Sequence, residues 1–300
     1  MKKILIIASN APKDSPAVQR YHEFAPKDSE ITVRWLSDFF AIWDGQALRV
    51  IDAITGEEPT GYDVVHIAGW KSHADIAFAL ATWLEHQQVP FVGHTLLDWY
   101  ADSKLGELVR LTTAGLPHPR SFYADDNTRL LQLYDWAVVR CGLQLPVVVK
   151  STLASRGEHN YLVRSRDELA ALPLDAGHRY LIQECIPNKC DYRLVVLGGK
   201  TKIIIRRTRL SDDTHLNNIS QGADATLVDL ADFPAEAIAV AEQAAKALGR
   251  EDIAGVDLLL DEQTNKPYVL EVNRTPHMSL GEPAAVAAKM QALFAYLESV

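Results

Sequence analysis

Short apolar runs, each bounded by turn residues, recur through the first hundred residues: "KKILIIAS" (2–9), "ITVRWLS" (31–37), "DVVHIAG" (63–69) and "PFVGH" (90–94). Between the last two, "HADIAFALATWLEHQ" (73–87) carries its apolar residues at helical spacing. Strand, helix and strand in that order form a βαβ unit, which commits this part of the chain to a parallel sheet covered by helices. Inside it, "WDGQALRVID" holds an Asp44-Gly45 turn and reads as a small hairpin.

Beyond residue 100 the pattern changes. "SKLGELVRLTTA" (103–114) reads as a helix stopped by Gly115 and the prolines of "GLPHPRS", and a second helix is expected at about 128–141. "PVVVKST" (146–152), "NYLVRS" (160–165) and "RYLIQECI" (179–186) read as strands, with a short helix "RDELAAL" before the last. "DYRLVVLGGKTKIIIRRTR" (191–209) is a hairpin turning at Gly198-Gly199. A polar segment, "DDTHLNNISQGA", leads to a helix at 234–249, two strands, "GVDLLLDE" and "KPYVLEVN", and a closing helix at about 283–298. The fold class is therefore α/β, turning α+β in the C-terminal part, with boundaries near 100 and 187.

Charge narrows the function. The 300 residues carry 30 Lys and Arg against 39 Asp and Glu, a formal net charge of −9. Sequence-independent binding to nucleic acid or to an anionic membrane needs a basic surface, so neither is an expected partner. The run Ile4–Ala8 is far shorter than the ~20 apolar residues of a membrane span. Cys141, Cys185 and Cys190 lack metal-ligand spacing, and an odd count points to a reducing, cytoplasmic setting.

The chemistry concentrates near the C-terminus. Asp257 lies in "GVDLLLDE", and Glu271 and Asn273 lie two residues apart in "PYVLEVN". Antiparallel pairing of these strands brings the three onto one face. Collecting carboxylates in a dry sheet costs several kcal/mol per unpaired ion. Magnesium removes that cost, since it takes one or two carboxylates together with phosphate oxygens and waters. Separate salt bridges on an exposed face are the simpler alternative, but the flanking Val and Leu argue against exposure.

Basic residues supply the other half. Lys150 ends an apolar strand, where its ammonium either reaches solvent or meets an anion. The loop "STLASRGEHN" after it can aim backbone N–H groups and Ser155 at a phosphate. Lys104 opens a helix, an unfavourable place for a cation unless an anion is near. Arg206 and Arg207 point to opposite faces of their strand, so one of them at most reaches a shared site. "GKT" (199–201) is no P-loop, because the glycine required five residues earlier is Leu194.

Taken in order, "DSKLGELVRLTTAGLPHPRS", "VVVKSTLASRG", "YLIQECI", "CDYRLVV", "IIIRR", "LNNISQGA", "AGVDLLL" and "YVLEVNRTP" resemble the ATP-grasp superfamily, most of all its RimK-like and glutathione-synthetase-like branch of carboxylate–amine ligases. The resemblance implies a Rossmann-like domain over 1–100 followed by a two-lobed ATP-grasp fold. The central lobe, with ATP lid and hinge, takes 101–186, and the C-terminal lobe, with the metal and phosphate site, takes 187–300. It implies that Lys104 and Lys150 contact ATP phosphates and that Ser155 and Gly157 belong to the lid. Gln183, Glu184, Cys185 and Ile186 would form the hinge on the adenine edge, and Asp191 would bind ribose. Arg206 or Arg207 would meet the transferred phosphoryl group, with Asn218 beside the triphosphate. Asp257, Glu271 and Asn273 would hold two Mg²⁺ ions, with Glu271 bridging and Mn²⁺ able to replace them.

The implied reaction uses ATP to phosphorylate a substrate carboxylate, and an amine then attacks the acylphosphate to form an amide. Like-charge repulsion is the obstacle: two unit charges at ~4 Å repel by about 4 kcal/mol at an effective dielectric near 20. Cations on the protein cancel it, and no protein nucleophile is needed. Arg193 and Arg274 are candidates for the substrate carboxylate, with structural ion pairing as the alternative. An amino acid such as glutamate added to a peptide, protein or small metabolite fits this class, and a homo-oligomer is common in it. A nucleotide-binding module without ligase activity is the second reading, and a metal-dependent hydrolase, which leaves Lys150 unexplained, is the third.

Overall fold

The computed structural model describes residues 1–8, 16–23, 25, 27–45, 47–68, 73–92, 96–99, 103–152, 158–208, 224–251, 253–273, 276 and 282–299. β1 (Lys2–Ala8), α1 (Pro16–Glu23) and β2 (Ser29–Trp35) open the chain, followed by the hairpin β3 (Phe39–Trp43) and β4 (Leu48–Asp52). Next come β5 (Val64–Ile67), α2 (Ala74–His86), β6 (Phe91–Val92) and α3 (Leu96–Trp99). The first sheet has the order β2-β1-β5-β6 and is parallel throughout, as the βαβ pattern requires.

The middle of the chain contributes α4 (Lys104–Thr113), β7 (Ser121–Ala124), α5 (Asn127–Gln132) and α6 (Tyr134–Cys141). β8 (Val147–Ser151), β9 (Asn160–Val163), α7 (Arg166–Ala170) and β10 (Tyr180–Glu184) follow. The helix expected over 128–141 is two helices, broken at Leu133. The second sheet runs β4-β3-β7-β10-β8-β9. The two strands at one edge, β4 and β3, thus come from the hairpin within the first hundred residues, with Phe40 opposite Ala124 and Trp43 opposite Ser121. The sequence "FFAIW" explains this placement. Alternate side chains feed different cores, Phe39, Ala41 and Trp43 packing with α2 and Phe40 and Ile42 packing with Phe122 and Tyr134.

The last part holds β11 (Cys190–Leu197), β12 (Lys200–Thr208), β13 (Asp224–Val228), α8 (Ala235–Ala247), β14 (Ile253–Leu260), β15 (Pro267–Asn273) and α9 (Pro283–Ser299). Its antiparallel sheet has the order β13-β12-β11-β14-β15. One face, with Leu194, Ile204, Val256, Leu258, Val269 and Val272, packs on Ala241, Ala244 and Ala245 of α8. On the other face Val195, Leu197, Ile203 and Ile205 lie under Ala288, Ala292 and Tyr296 of α9. Gly198 makes the turn at φ +57°, where a Cβ would sit 2.6 Å from the Tyr296 ring.

α4 joins these parts. Leu105, Leu108 and Val109 enter the core of the first sheet, while Leu111 enters the core under α8. Ser103 caps the helix, its Oγ accepting from the Gly106 N–H at 2.8 Å.

Candidate active site

The α9-facing side of the third sheet changes character along its strands. Val195 and Leu197 of β11 are apolar and buried, and two and four residues earlier the same face carries Arg193 and Asp191. The neighbouring strands bring Arg207 and Asp257. Asp257 pairs directly with Glu271, and Gly255 pairs with Asn273. A bulge makes this possible. The register shifts between Asp257 and Leu258, so that Leu258 faces Val269 and Leu270 is the extra residue. Strict alternation would send Glu271 into the same core as Val269; the bulge turns it to the face of Asp257.

Asp257 is nearly fully buried and heavily paired. Arg193 grips it with two parallel bonds, Nε to Oδ1 and Nη2 to Oδ2, both 2.7 Å. Arg207 adds an ion pair to Oδ2 at 3.2 Å and donates to Asp191 Oδ1 at 2.5 Å. Burial pushes the Asp257 carboxyl up, but Arg193 and Arg207 outweigh it and hold the group below the usual carboxylate range. Asp191 goes the other way: burial, helped by the Asp257 charge, lifts it to about 6 against the pull of Arg207. With its amide turned to satisfy both ends, Asn273 donates to Glu271 Oε1 and accepts from Arg193 Nη2, each at 3.2 Å.

The donor set suits a hard cation. Asp257, Glu271 and Asn273 offer only oxygen ligands, which is the preference of magnesium. A carboxylate has about four lone-pair directions. Arg193 takes two on Asp257 and Arg207 one, so Asp257 keeps capacity for a metal, and Glu271 stands directly across the strand pair.

Lys150 lies on β8 in the second sheet, where its Nζ donates to Gln183 Oε1 at 2.8 Å. Gln183 is buried and donates in turn to Ser121 Oγ at 2.9 Å. Burial and the Lys104 charge push the Lys150 ammonium down to about 8, against the pull of Glu271 and Glu107. Lys150 therefore lies within electrostatic reach of Lys104 on α4 and of Glu271 on β15.

Glu107 and Arg250 escaped the sequence reading. Glu107, on α4, accepts from Arg250 Nη1 at 2.7 Å and from the Val272 N–H at 3.3 Å, between Glu271 and Asn273. Arg250 also donates to the Val272 carbonyl. Burial and the Glu271 charge raise Glu107 to about 7, despite Arg250. Nothing local announces this cluster; an acidic residue on the apolar stripe of α4 was the available signal.

Of the hinge residues, Glu184 donates its backbone N–H to the Arg120 carbonyl at 2.8 Å and pairs its carboxylate with the Arg120 side chain. The Ile186 carbonyl accepts from Asn188 at 2.8 Å, and Cys185 lies between them. Of the two candidate arginines in β12, Arg207 is buried in the acidic cluster and Arg206 is exposed. Ser155, Gly157, Asn218 and Arg274 lie outside the described residues.

A model of the RimK-like ATP-grasp domain matches residues 101–291. The chain belongs to the RimK-like ATP-grasp family. Its members include carboxylate–amine ligases, and among curated relatives the chain is 29% identical over 163 residues to beta-citrylglutamate synthase B of Mus musculus. That match covers 53% of this chain and 40% of the relative's length. It is 26% identical over 230 residues to the D-alanine–D-alanine ligase of Carboxydothermus hydrogenoformans, covering 72% of each. Among solved structures, the ATP-grasp ligase PsnB, determined with minimal precursor, Mg and ADP, is 17% identical, with a TM-score of 0.45 over 98% of this chain and 96% of that one. Among the described residues no helix is long and apolar enough to cross a membrane.

Proposed function

We propose that this RimK-like ATP-grasp protein is an ATP-dependent ligase that joins a carboxylate to an amine through an acylphosphate. The observation that carries the reading is the directly opposed pair Asp257–Glu271 with Asn273 beside it, Glu271 acting on the Lys150 charge. Two Mg²⁺ ions, or Mn²⁺ in their place, bound at this trio would neutralise triphosphate charge and stabilise the transferring phosphoryl group.

The chain's own residues do the positioning. Gln183 orients the Lys150 ammonium toward the nucleotide phosphates, and Lys104 adds a second positive charge. Arg193 and Arg207 hold Asp257 ionised, so that it presents charge rather than a proton. The domain reading assigns 1–100 to the Rossmann-like part, 101–186 to the lid and hinge, and 187–300 to the metal and phosphate site. The lid residues Ser155 and Gly157 exclude water from the acylphosphate, and Asn218 stands at the triphosphate. Ribose binds at Asp191, and Arg274 takes the substrate carboxylate. Glutamate is the first amine to try, because the related mouse synthase carries it in its name.

The test is ADP release measured across a panel of amino acids and carboxylates, with mass spectrometry for new amides. Amine-dependent ADP with a matching amide is expected, and Glu271→Gln should abolish it while leaving circular dichroism unchanged. Tight Mg·ATP binding without ADP release for any pair would leave the nucleotide-binding module instead.

A further inference from the structure

A different group of side chains lies on the second sheet. His159, Asp175 and His178 each bring one ligand atom to within 4.8 Å of the others. They come from separate segments, His159 just before β9 and the other two from the turn before β10. The imidazole rings are stacked, with centroids 4.2 Å apart and planes at 29°.

Each ring also has a hydroxyl at its Nδ1. His178 Nδ1 is 2.9 Å from Ser151 Oγ, and His159 Nδ1 is 3.3 Å from the Tyr180 hydroxyl. The Tyr180 hydroxyl also accepts from the Asp175 N–H at 3.2 Å, and in the tautomer whose Nδ1–H donates to the hydroxyl oxygen the lone pair lies on Nε2. The carboxylate is oriented in the same way, since Asp175 Oδ1 accepts from the Gly177 N–H at 2.7 Å and keeps further acceptor capacity.

The backbone is also braced. Asn127 Nδ2 donates to the carbonyls of Asp175 at 3.2 Å and His178 at 3.1 Å. His159 sits at φ +50°, a left-handed conformation uncommon outside glycine, and its carbonyl accepts from the Ser151 N–H at 3.0 Å. Arg179, the nearest cation in sequence, turns its guanidinium to the carbonyls of Ala176 and His178 and toward Asp125. Ligating imidazoles whose second nitrogen is held by an oxygen are a regular feature of protein metal sites.

We infer that His159, Asp175 and His178 bind a divalent transition metal of the zinc class, with a fourth position left for water. Two nitrogens and one carboxylate oxygen suit zinc, whereas magnesium takes oxygen ligands, so this site differs in chemistry from the trio at Asp257. The ion would join the end of β8, the start of β9 and the turn before β10.

The experiment is zinc uptake by metal-free, full-length protein without nucleotide, measured by competition with a chromophoric chelator. One equivalent is expected in the wild type and in Glu271→Gln, and none in His178→Ala or Asp175→Asn. Asp175 is exposed, so Asp175→Asn leaves the fold intact, which circular dichroism of the metal-free variants checks. Ser151→Ala, which removes only the hydroxyl behind His178, should weaken zinc about tenfold. No uptake by the wild type, uptake that survives in Asp175→Asn, or uptake lost only in Glu271→Gln would overturn the assignment.

Discussion

Glu107 gives the sharpest test of the electrostatics around β15. Its carboxyl is raised from 4.5 to about 7 by burial and by Glu271. Between those values the folded protein keeps a proton that the unfolded chain has released. Stability must therefore fall as pH rises through this window, because the native state binds more protons there. The difference between 4.5 and about 7 corresponds to about 3 kcal/mol, fully expressed above the upper value. Glu107→Gln removes the titration and keeps the shape. At low pH the two proteins carry equivalent neutral groups at this position, and both can accept from Arg250 and the Val272 N–H. Urea unfolding followed from about pH 4.5 to about pH 8 should show the variant gaining about 3 kcal/mol on the wild type. Asp191, also raised by burial, contributes a slope in both proteins and drops out of the difference. Parallel curves would refute the reasoning, since they would mean that Glu107 ionises as easily in the fold as in water.

Arg207→Met leaves Asp191 and Asp257 in a buried cluster with Arg193 alone, and should cost about 3–5 kcal/mol in urea unfolding; a cost under about 1 kcal/mol would show the cluster to be well solvated. Lys150, lowered to about 8, loses its charge as pH rises past that value, so calorimetric Mg·ATP affinity should decline there in the wild type and hold in Lys150→Arg. Equal pH profiles would separate Lys150 from the phosphates. Gly198→Ala forces a Cβ against the Tyr296 ring in a left-handed turn, and thermal unfolding should register a loss of at least about 1 kcal/mol.

Local pattern carried much of the architecture. The four apolar runs of the first hundred residues all became strands of a parallel sheet, because a buried strand must be apolar wherever it lands. β7 and β13 went unread: each is short, the first follows two prolines and the second carries polar residues. The hairpin at Asp44-Gly45 was legible as a hairpin, but not the sheet it would join, since "FFAIW" is apolar on both faces and fits either side.

The candidate site divides in the same way. Asp257, Glu271 and Asn273 stand out in the sequence because polar groups in apolar strands need a reason. Residue types and spacing alone thus marked a face of oxygen-bearing side chains near the C-terminus. That Glu271 faces Asp257 rather than the α8 core was decided by the bulge at Leu270, which exists only once β14 and β15 are in register. Arg193 and Arg207 likewise acquired their partner only through pairing across β11, β12 and β14. Glu107 and Arg250 meet across 143 residues of chain. Side-chain alternation and turn chemistry act over a few residues and can be read locally. Burial and charge pairing act through space, and for them tertiary structure alone decides.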